Sequence, residues 1–511
     1  ATTGPGATNM LTGVASAYMD HIPLLAITAQ TSLKNFGRGA AQESSCTGIN
    51  TVAMYQHCTR YNTLVSHAEQ LERKLLNAIT TAMHPPYAPA HLSIPIDILR
   101  TPVTIDPLIN LQALLAPSKA IDNDAVDALY REFYSASNPV FVLGPGSRQA
   151  ADVILELTML INASVVTTSD ARGLVSSFHP QYRGVYGISG HTAAHDLLKD
   201  KSVNLILAIG INLDEFTTNG WESTELFNDK VVFIDSSPIY FSRSPAACRY
   251  ISGDIPKIFE HLLARCQKIR KRDVEETQHH PQASSPTDIP SVPFERRANM
   301  RRHHQPSNTF KVISYRSAKE RRQCIDRRHS SSIPSVVRHF LLKDEKKYLS
   351  EATPIKPQRL MYDLSRLFPP NTRFLADNGN STFWSIHYLH PVSHRIIGRR
   401  SSNDGSIRLG MGFLSMGWAI GASIGTALAT RDDPVVCITG DGSLLMSGQE
   451  LSVAVQEKLS VIFVILNDSA LGTVKHGQQM GGAEPIAFEL PLVNFDAYAK
   501  AMGAVGYTIR S

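Results

Sequence analysis

The sequence has no pair of cysteines at Cys-x-x-Cys spacing and no uninterrupted apolar run of the ~18 residues a membrane helix needs. The longest apolar stretch, residues 413–429, stops at Thr430-Arg431-Asp432-Asp433. A membrane-spanning segment is therefore not expected. The six cysteines (Cys46, Cys58, Cys248, Cys266, Cys324 and Cys437) are scattered, which excludes a disulfide scaffold and fits reduced thiols in a cytoplasmic protein. Aromatic residues are only 7% of the chain. Neither sign of charge dominates: 50 Lys+Arg against 45 Asp+Glu leave a net +5. That excess is local, because residues 268–328 carry 15 Lys+Arg and 7 Asp+Glu and the remainder is net negative. With 43% hydrophobic residues over 511 positions, the chain can build about three cores, which excludes disorder as a description of the whole.

What is present is an alternation of short β-rich runs with helical patterns. Residues 23–30, 68–83 and 90–97 read as strand, helix and strand. The same grammar returns after residue 117, with a helix over 124–136, a strand from Pro139, a helix over 150–161 and later runs such as VNLILAIG and VVFIDSS. A third set contains TRFLADNG, PVVCITGDG and VIFVILND. Alternation of this kind predicts βαβ units and parallel sheets, an α/β fold in three consecutive domains at 1–112, 118–266 and 353–511. Between the last two, residues 267–350 are basic, with proline and serine, and no apolar period; they read as a disordered linker. No aromatics interleave with its arginines, so nucleic acid is not expected as a partner. The chain starts without methionine inside a motif, ATTGPGATN, and stops as an apolar run begins, so the first and last domains are expected to be truncated.

The segment richest in chemistry runs from Pro434 to Asp468. It predicts a strand over 435–439, a Gly440-Asp441-Gly442 turn, a helix over about 447–458 and a second strand ending at Asn467. Glycines at 440 and 442 permit a sharp turn and close approach to a ligand, and the helix start that follows suits a phosphate. In a parallel βαβ unit, Asp441 and Asn467 leave neighbouring strand ends, so two oxygen ligands converge as Mg²⁺ prefers beside phosphates.

Gly-Asp-Gly followed by 24 residues and Asn467 resembles the signature of thiamine diphosphate-dependent enzymes. Gly4 to Asn9 (GPGATN) resembles the pyrimidine-domain motif of the acetolactate synthase-like members. Residues 40–43 (AAQE) place Gln42 at the family's glutamine near the cofactor, and 58–62 (CTRYN) put Arg60 where the family has lysine. Residues 415–429 (SMGWAIGASIGTALA) resemble the stretch whose methionine, here Met416, supports the bent cofactor; ADNGNSTFW (376–384) resembles the opening of that domain.

The resemblance implies three domains binding pyrimidine, a central Rossmann-like fold, and diphosphate. It implies thiamine diphosphate held by Gly4, Gly6, Asn9, Gln42, Met416, Gly440, Gly442 and Ser443, and Mg²⁺ held by Asp441, Asn467 and the main-chain carbonyl of Ser469. The implied activity is decarboxylation of a 2-oxo acid with carboligation, as in branched-chain amino acid biosynthesis, by a homodimer or homotetramer. A 2-oxo acid decarboxylase or other acyloin-forming lyase, and a catalytically silent cofactor-binding or regulatory paralogue, are the alternatives. The family's catalytic glutamate lies upstream of GPGATN, outside this sequence, leaving Gln42 as the one catalytic candidate; the chain by itself is expected to be inactive. In the central domain, Gly144-Pro145-Gly146 stands where the synthases have three glycines. Asn212 and Phe216 occupy the places of two arginines that serve the flavin and the substrate carboxylate there, so FAD is expected to bind weakly or not at all.

Overall fold

A computed structural model describes residues 1–103, 110–116, 120–221, 224–279 (backbone alone for 269–279), 337–392 and 407–510. Among the described residues, thirteen strands form three sheets. The first sheet holds β1 (Leu25–Gln30), β2 (Tyr61–Leu64) and β3 (Ala90–Pro95) in the order β1-β3-β2. The second holds β4 (Pro139–Leu143), β5 (Ser164–Thr168), β6 (Tyr182–Tyr186), β7 (Leu205–Ile209), β8 (Val231–Asp235) and β9 (Arg249–Ser252) in the order β6-β5-β4-β7-β8-β9. The third holds β10 (Arg373–Ala376), β11 (Ile407–Leu409), β12 (Val435–Gly440) and β13 (Val461–Leu466) in the order β11-β10-β12-β13. Every ladder is parallel. The fold is therefore α/β, with helices crossing between strands.

The central strands show why. PVFVL, LILAI and VVFID are buried at every position, the continuous apolar run expected where helices cover both faces of a parallel sheet. Helix Ala151–Ile161 supplies Ile154, Leu157 and Ile161 to one face at helical spacing. It ends on Asn162 in the left-handed conformation (φ 56). Among the described residues, no helix is long and apolar enough to cross a membrane.

The expected linker differs at both its ends. Helix Ile255–His279 runs straight through the boundary placed at 266. Beyond Val337 the chain is packed: Phe340, Leu342 and Tyr348 are buried in one core with Tyr182, Met361 and Phe374. Buried apolar side chains outweigh the basic composition that suggested disorder there, each contributing ~1.5–3 kcal/mol. Residues 280–336, the bulk of that predicted linker, lie outside the described residues.

Side chains tie the three sheets' surroundings together. Ser16 Oγ meets Ser415 Oγ at 2.7 Å, and Asp20 Oδ1 accepts from the Gly412 N–H at 2.7 Å. Arg172, buried in the central domain, donates to the carbonyls of Ile386 and Leu389 and to His390 Nδ1. His191 Nε2 donates to the His387 carbonyl while its Nδ1 accepts from the Val185 N–H. That pattern keeps the ring neutral, and burial pushes its pKa well below the ordinary value.

Candidate cofactor site

Strands β12 and β13 are paired to their last residues, Gly440 with Leu466. Asp441 and Asn467 therefore leave the sheet at equivalent positions on adjacent strands, the convergence expected from the sequence. Asp441 is buried; its Oδ1 accepts from its neighbour's Gly442 N–H at 2.8 Å and its Oδ2 from the Ser469 N–H at 2.6 Å. Both bonds fix the carboxylate and leave lone pairs for a cation. Asn467 is exposed, and Ser469 is held in the left-handed region at φ 54. Burial, followed by the charge of Asp441, raises the pKa of the adjoining Asp468. Among the described residues, no cluster of three or more His, Cys, Asp or Glu could hold a metal; the expected set contains a single carboxylate.

The Gly-Asp-Gly segment is not the turn the sequence suggested. The helix starts at Asp441 itself (Asp441–Ser447), and a 3₁₀ turn (Gly448–Glu450) leads into Leu451–Gln456. Gly440 has ordinary extended backbone (φ −85, ψ 163), so its glycine does not serve a sharp turn. A methyl group on Gly440 would meet no protein atom within 4 Å, whereas one on Gly442 would press on Leu471 at 2.7 Å and Met416 Cε at 3.1 Å. Met416 is thus brought beside Gly442. Ser443 Oγ is buried and has no hydrogen-bond partner, a costly state unless a ligand oxygen completes it. Asp441 with free lone pairs, an orphaned hydroxyl at Ser443 and open space over Gly440 fit a metal-bound phosphate.

The first-domain residues form a separate group. Gly4 (φ 61) precedes helix Pro5–Met19, and its N–H donates to Ser44 Oγ at 2.8 Å. A methyl on Gly4 would lie 2.9 Å from Gln42 Cβ, so these two touch. Gln42 is exposed in the left-handed region (φ 58); Asn9 is exposed, and a methyl on Gly6 would meet Thr2 at 2.5 Å. The far end of that helix is what touches the third domain, through Ser16. Ser16 lies twelve positions beyond Gly4, ~18 Å along the helix axis. Within one chain, the helix therefore spaces Gly4 and Gln42 away from the loop carrying Met416.

Sequence reasoning missed Asp377 and Asn378. Asp377 leaves the end of β10 fully buried and accepts from Thr439 Oγ1 and from the N–H groups of Gly417, Ala419 and Asn378. The signal was available: an acid directly after the buried strand run RFLA repeats the pattern of Asp441 after VVCITG.

The edge of the central sheet is built differently. A methyl on Gly144 would lie 2.2 Å from the Gly210 carbonyl oxygen, and one on Gly146 2.9 Å from Gly210 Cα. These glycines are explained by the two loops packing on each other at the β4/β7 switch point, where a doubly wound sheet otherwise takes a ligand. Asn212 Nδ2 donates to Asp170, and Phe216 stacks on Phe383 at 6.4 Å. Burial and the charge of Asp214 push Asp170 up to about 7; burial pushes Asp20 and Asp235 up to about 6. Asn212 and Phe216 in the two arginine places, with the carboxylates of Asp170 and Asp214 close by, do not fit a dinucleotide pyrophosphate.

Three family descriptions match the chain. Residues 1–50, 126–262 and 377–511 match, in turn, the N-terminal TPP binding domain, the central domain and the C-terminal TPP binding domain of thiamine pyrophosphate enzymes. The chain belongs to the thiamine pyrophosphate enzyme family. As a member of it, the chain is similar to acetolactate synthase large subunits. It is 28% identical to the isozyme 3 large subunit of Escherichia coli (strain K12), over 99% of this chain and 78% of that protein. It is 25% identical to a probable large subunit from Methanococcus aeolicus, over 94% and 71%, and 25% identical to the Haemophilus influenzae large subunit, over 99% and 78%.

Proposed function

We propose that this thiamine pyrophosphate enzyme decarboxylates a small 2-oxo acid and joins the product to a second carbonyl compound, with Mg²⁺ and thiamine diphosphate as cofactors. The observation that carries the reading lies just past the end of β12: buried Asp441 fixed by two N–H groups, and a buried, unpartnered Ser443 hydroxyl two residues on. Thiamine diphosphate, when bound, supplies carbanion chemistry that no side chain can. The chain's own residues do the rest. Asp441, Asn467 and the Ser469 carbonyl hold the metal, the Ser443 hydroxyl donates to a phosphate oxygen, and Met416 supports the cofactor from the side of Gly442.

The second half of the site, Gly4, Gly6, Asn9 and Gln42, comes in this reading from another copy of the chain, giving a homodimer with two equivalent sites. Support comes from the helix that spaces the two groups apart, and from apolar side chains left bare on the first and third domains. Ile27 is 41% exposed, Leu492 91% and Tyr507 81%. In this reading FAD binds weakly or not at all, because Asn212 and Phe216 stand where the synthases have arginines and Asn212 bonds to Asp170 instead.

Incubation of the intact protein with pyruvate, Mg²⁺ and thiamine diphosphate tests the reading. Release of CO₂ with formation of acetolactate is expected. Free acetaldehyde alone would make it a decarboxylase, and no CO₂ at all would overturn the enzymatic reading. Sedimentation should show dimers that tighten when cofactor is added.

A further inference from the structure

The loop that presents Met416 is bent in a way its own residues disfavour. Leu414 sits at φ 55 and Gly417 at φ 84. A bulky residue such as leucine in the left-handed region is an outlier that persists only where its surroundings hold it. Besides Asp20 on Gly412 and Ser16 on Ser415, those surroundings are two consecutive residues at the end of β10. Asn378 Nδ2 donates to the Ser415 carbonyl at 2.7 Å, one residue after the strained leucine. Asp377 Oδ2 accepts from the Gly417 N–H at 3.1 Å and Oδ1 from the Ala419 N–H at 3.4 Å, one residue and three residues after Met416. Oδ2 also accepts from Thr439 Oγ1 at 2.8 Å, two residues before Asp441. Each carboxylate oxygen thus faces two donors, all neutral, and neither can carry a proton or an amide hydrogen without opposing one of them.

We propose that Asp377 and Asn378 are positioning residues: together they hold the loop around Leu414 in its strained conformation, and so set Met416 against the site that Asp441 builds. The proposal rests on the thiamine diphosphate reading of that site. Through Thr439 the same carboxylate couples the loop to the strand that delivers Asp441, so loop and metal end are aligned from one buried point.

The test compares wild type, Asp377→Asn, Leu414→Gly and the double variant, each as the intact protein. Without cofactor, Asp377→Asn should exchange the amide hydrogens of Gly417 and Ala419 about tenfold faster or more, the loss expected of bonds to a charged acceptor. Calorimetric titration with thiamine diphosphate in MgCl₂ should show binding about tenfold weaker or more. Leu414→Gly removes the backbone penalty, so it should recover most of that affinity in the Asp377→Asn background and leave wild-type affinity within about twofold. A merely structural loss would not be recovered by relaxing Leu414. Unchanged amide exchange, or no recovery in the double variant, overturns the proposal. If Asp377→Asn does not fold, Asn378→Ser, which removes the neutral bond to the Ser415 carbonyl, should weaken thiamine diphosphate binding by about threefold or more and be recovered by Leu414→Gly in the same way; unchanged affinity, or no recovery, overturns the proposal. Failure of wild type to bind would overturn the cofactor reading, and is told apart from failure of the clamp because exchange is read without cofactor.

Discussion

The central and third domains are two parallel sheets whose switch-point edges have opposite fates. At the central sheet, Gly144 and Gly146 follow β4 and lie against Gly210, so backbone packs on backbone there, and Asp170 and Asp214 stand close to each other nearby. At the third sheet, Gly440 ends β12 with open space above it, and Ser443 keeps an unpartnered hydroxyl beneath. Both edges are written with glycine and aspartate. What differs is whether the glycine makes room for protein or leaves room for something else. A Gly-x-Gly after a strand therefore says nothing about a ligand until the space over it is known.

The contrast can be broken most sharply at Asp441. Asp441→Ala should weaken Mg²⁺-dependent thiamine diphosphate binding by at least the ~100-fold that even outer-sphere changes can cost a metal site. Titration calorimetry showing unchanged affinity would remove Asp441 from the site. A paired substitution comes next. Gly144→Ala should lower thermal stability by ~1–3 kcal/mol or more, because its methyl meets rigid backbone. Gly440→Ala should leave stability within ~0.5 kcal/mol yet weaken cofactor binding. Melting curves and titrations of both variants decide; equal melting losses would erase the difference between the two edges.

Colour provides a third check, since the intact protein purified without added flavin should be colourless, and stoichiometric flavin absorbance would reopen the central crevice. The smallest expected effect is electrostatic. Asp170 stands at about 7 in the folded protein against 3.8 ordinarily, so the folded state holds a proton that the unfolded chain has lost. Its contribution is present at low pH and fades as pH rises through about 7. Between pH 6 and pH 8 the stability advantage of wild type over Asp170→Asn should fall by about 1 kcal/mol. Parallel pH profiles of the melting temperature would show that this carboxyl does not titrate in that window.

Much of the molecule was legible before any coordinates. Strand runs such as VVFID and VVCITG are apolar over most of their length because both their faces are covered, and the helices between them carry one apolar stripe; these periods come from backbone geometry alone. The placing of Asp441 and Asn467 followed from the same logic, since equal strand ends on a parallel pair are neighbours whatever surrounds them. Three matters were decided only in three dimensions. The helix starts at Asp441 rather than near residue 447, because Asp441 both opens the helix and accepts the Gly442 N–H. Phe340, Leu342 and Tyr348 are core, because a basic sequence context cannot reveal the apolar surface that awaits them from Tyr182 and Phe374. The clamp of Asp377 and Asn378 on the Met416 loop joins residues about 40 positions apart. The sequence by itself determined which segments alternate and that Asp441 and Asn467 stand at neighbouring strand ends, since those depend on local periodicity. Only tertiary structure decided which edge stays open and what holds its loop, since those depend on contacts between residues far apart in the chain.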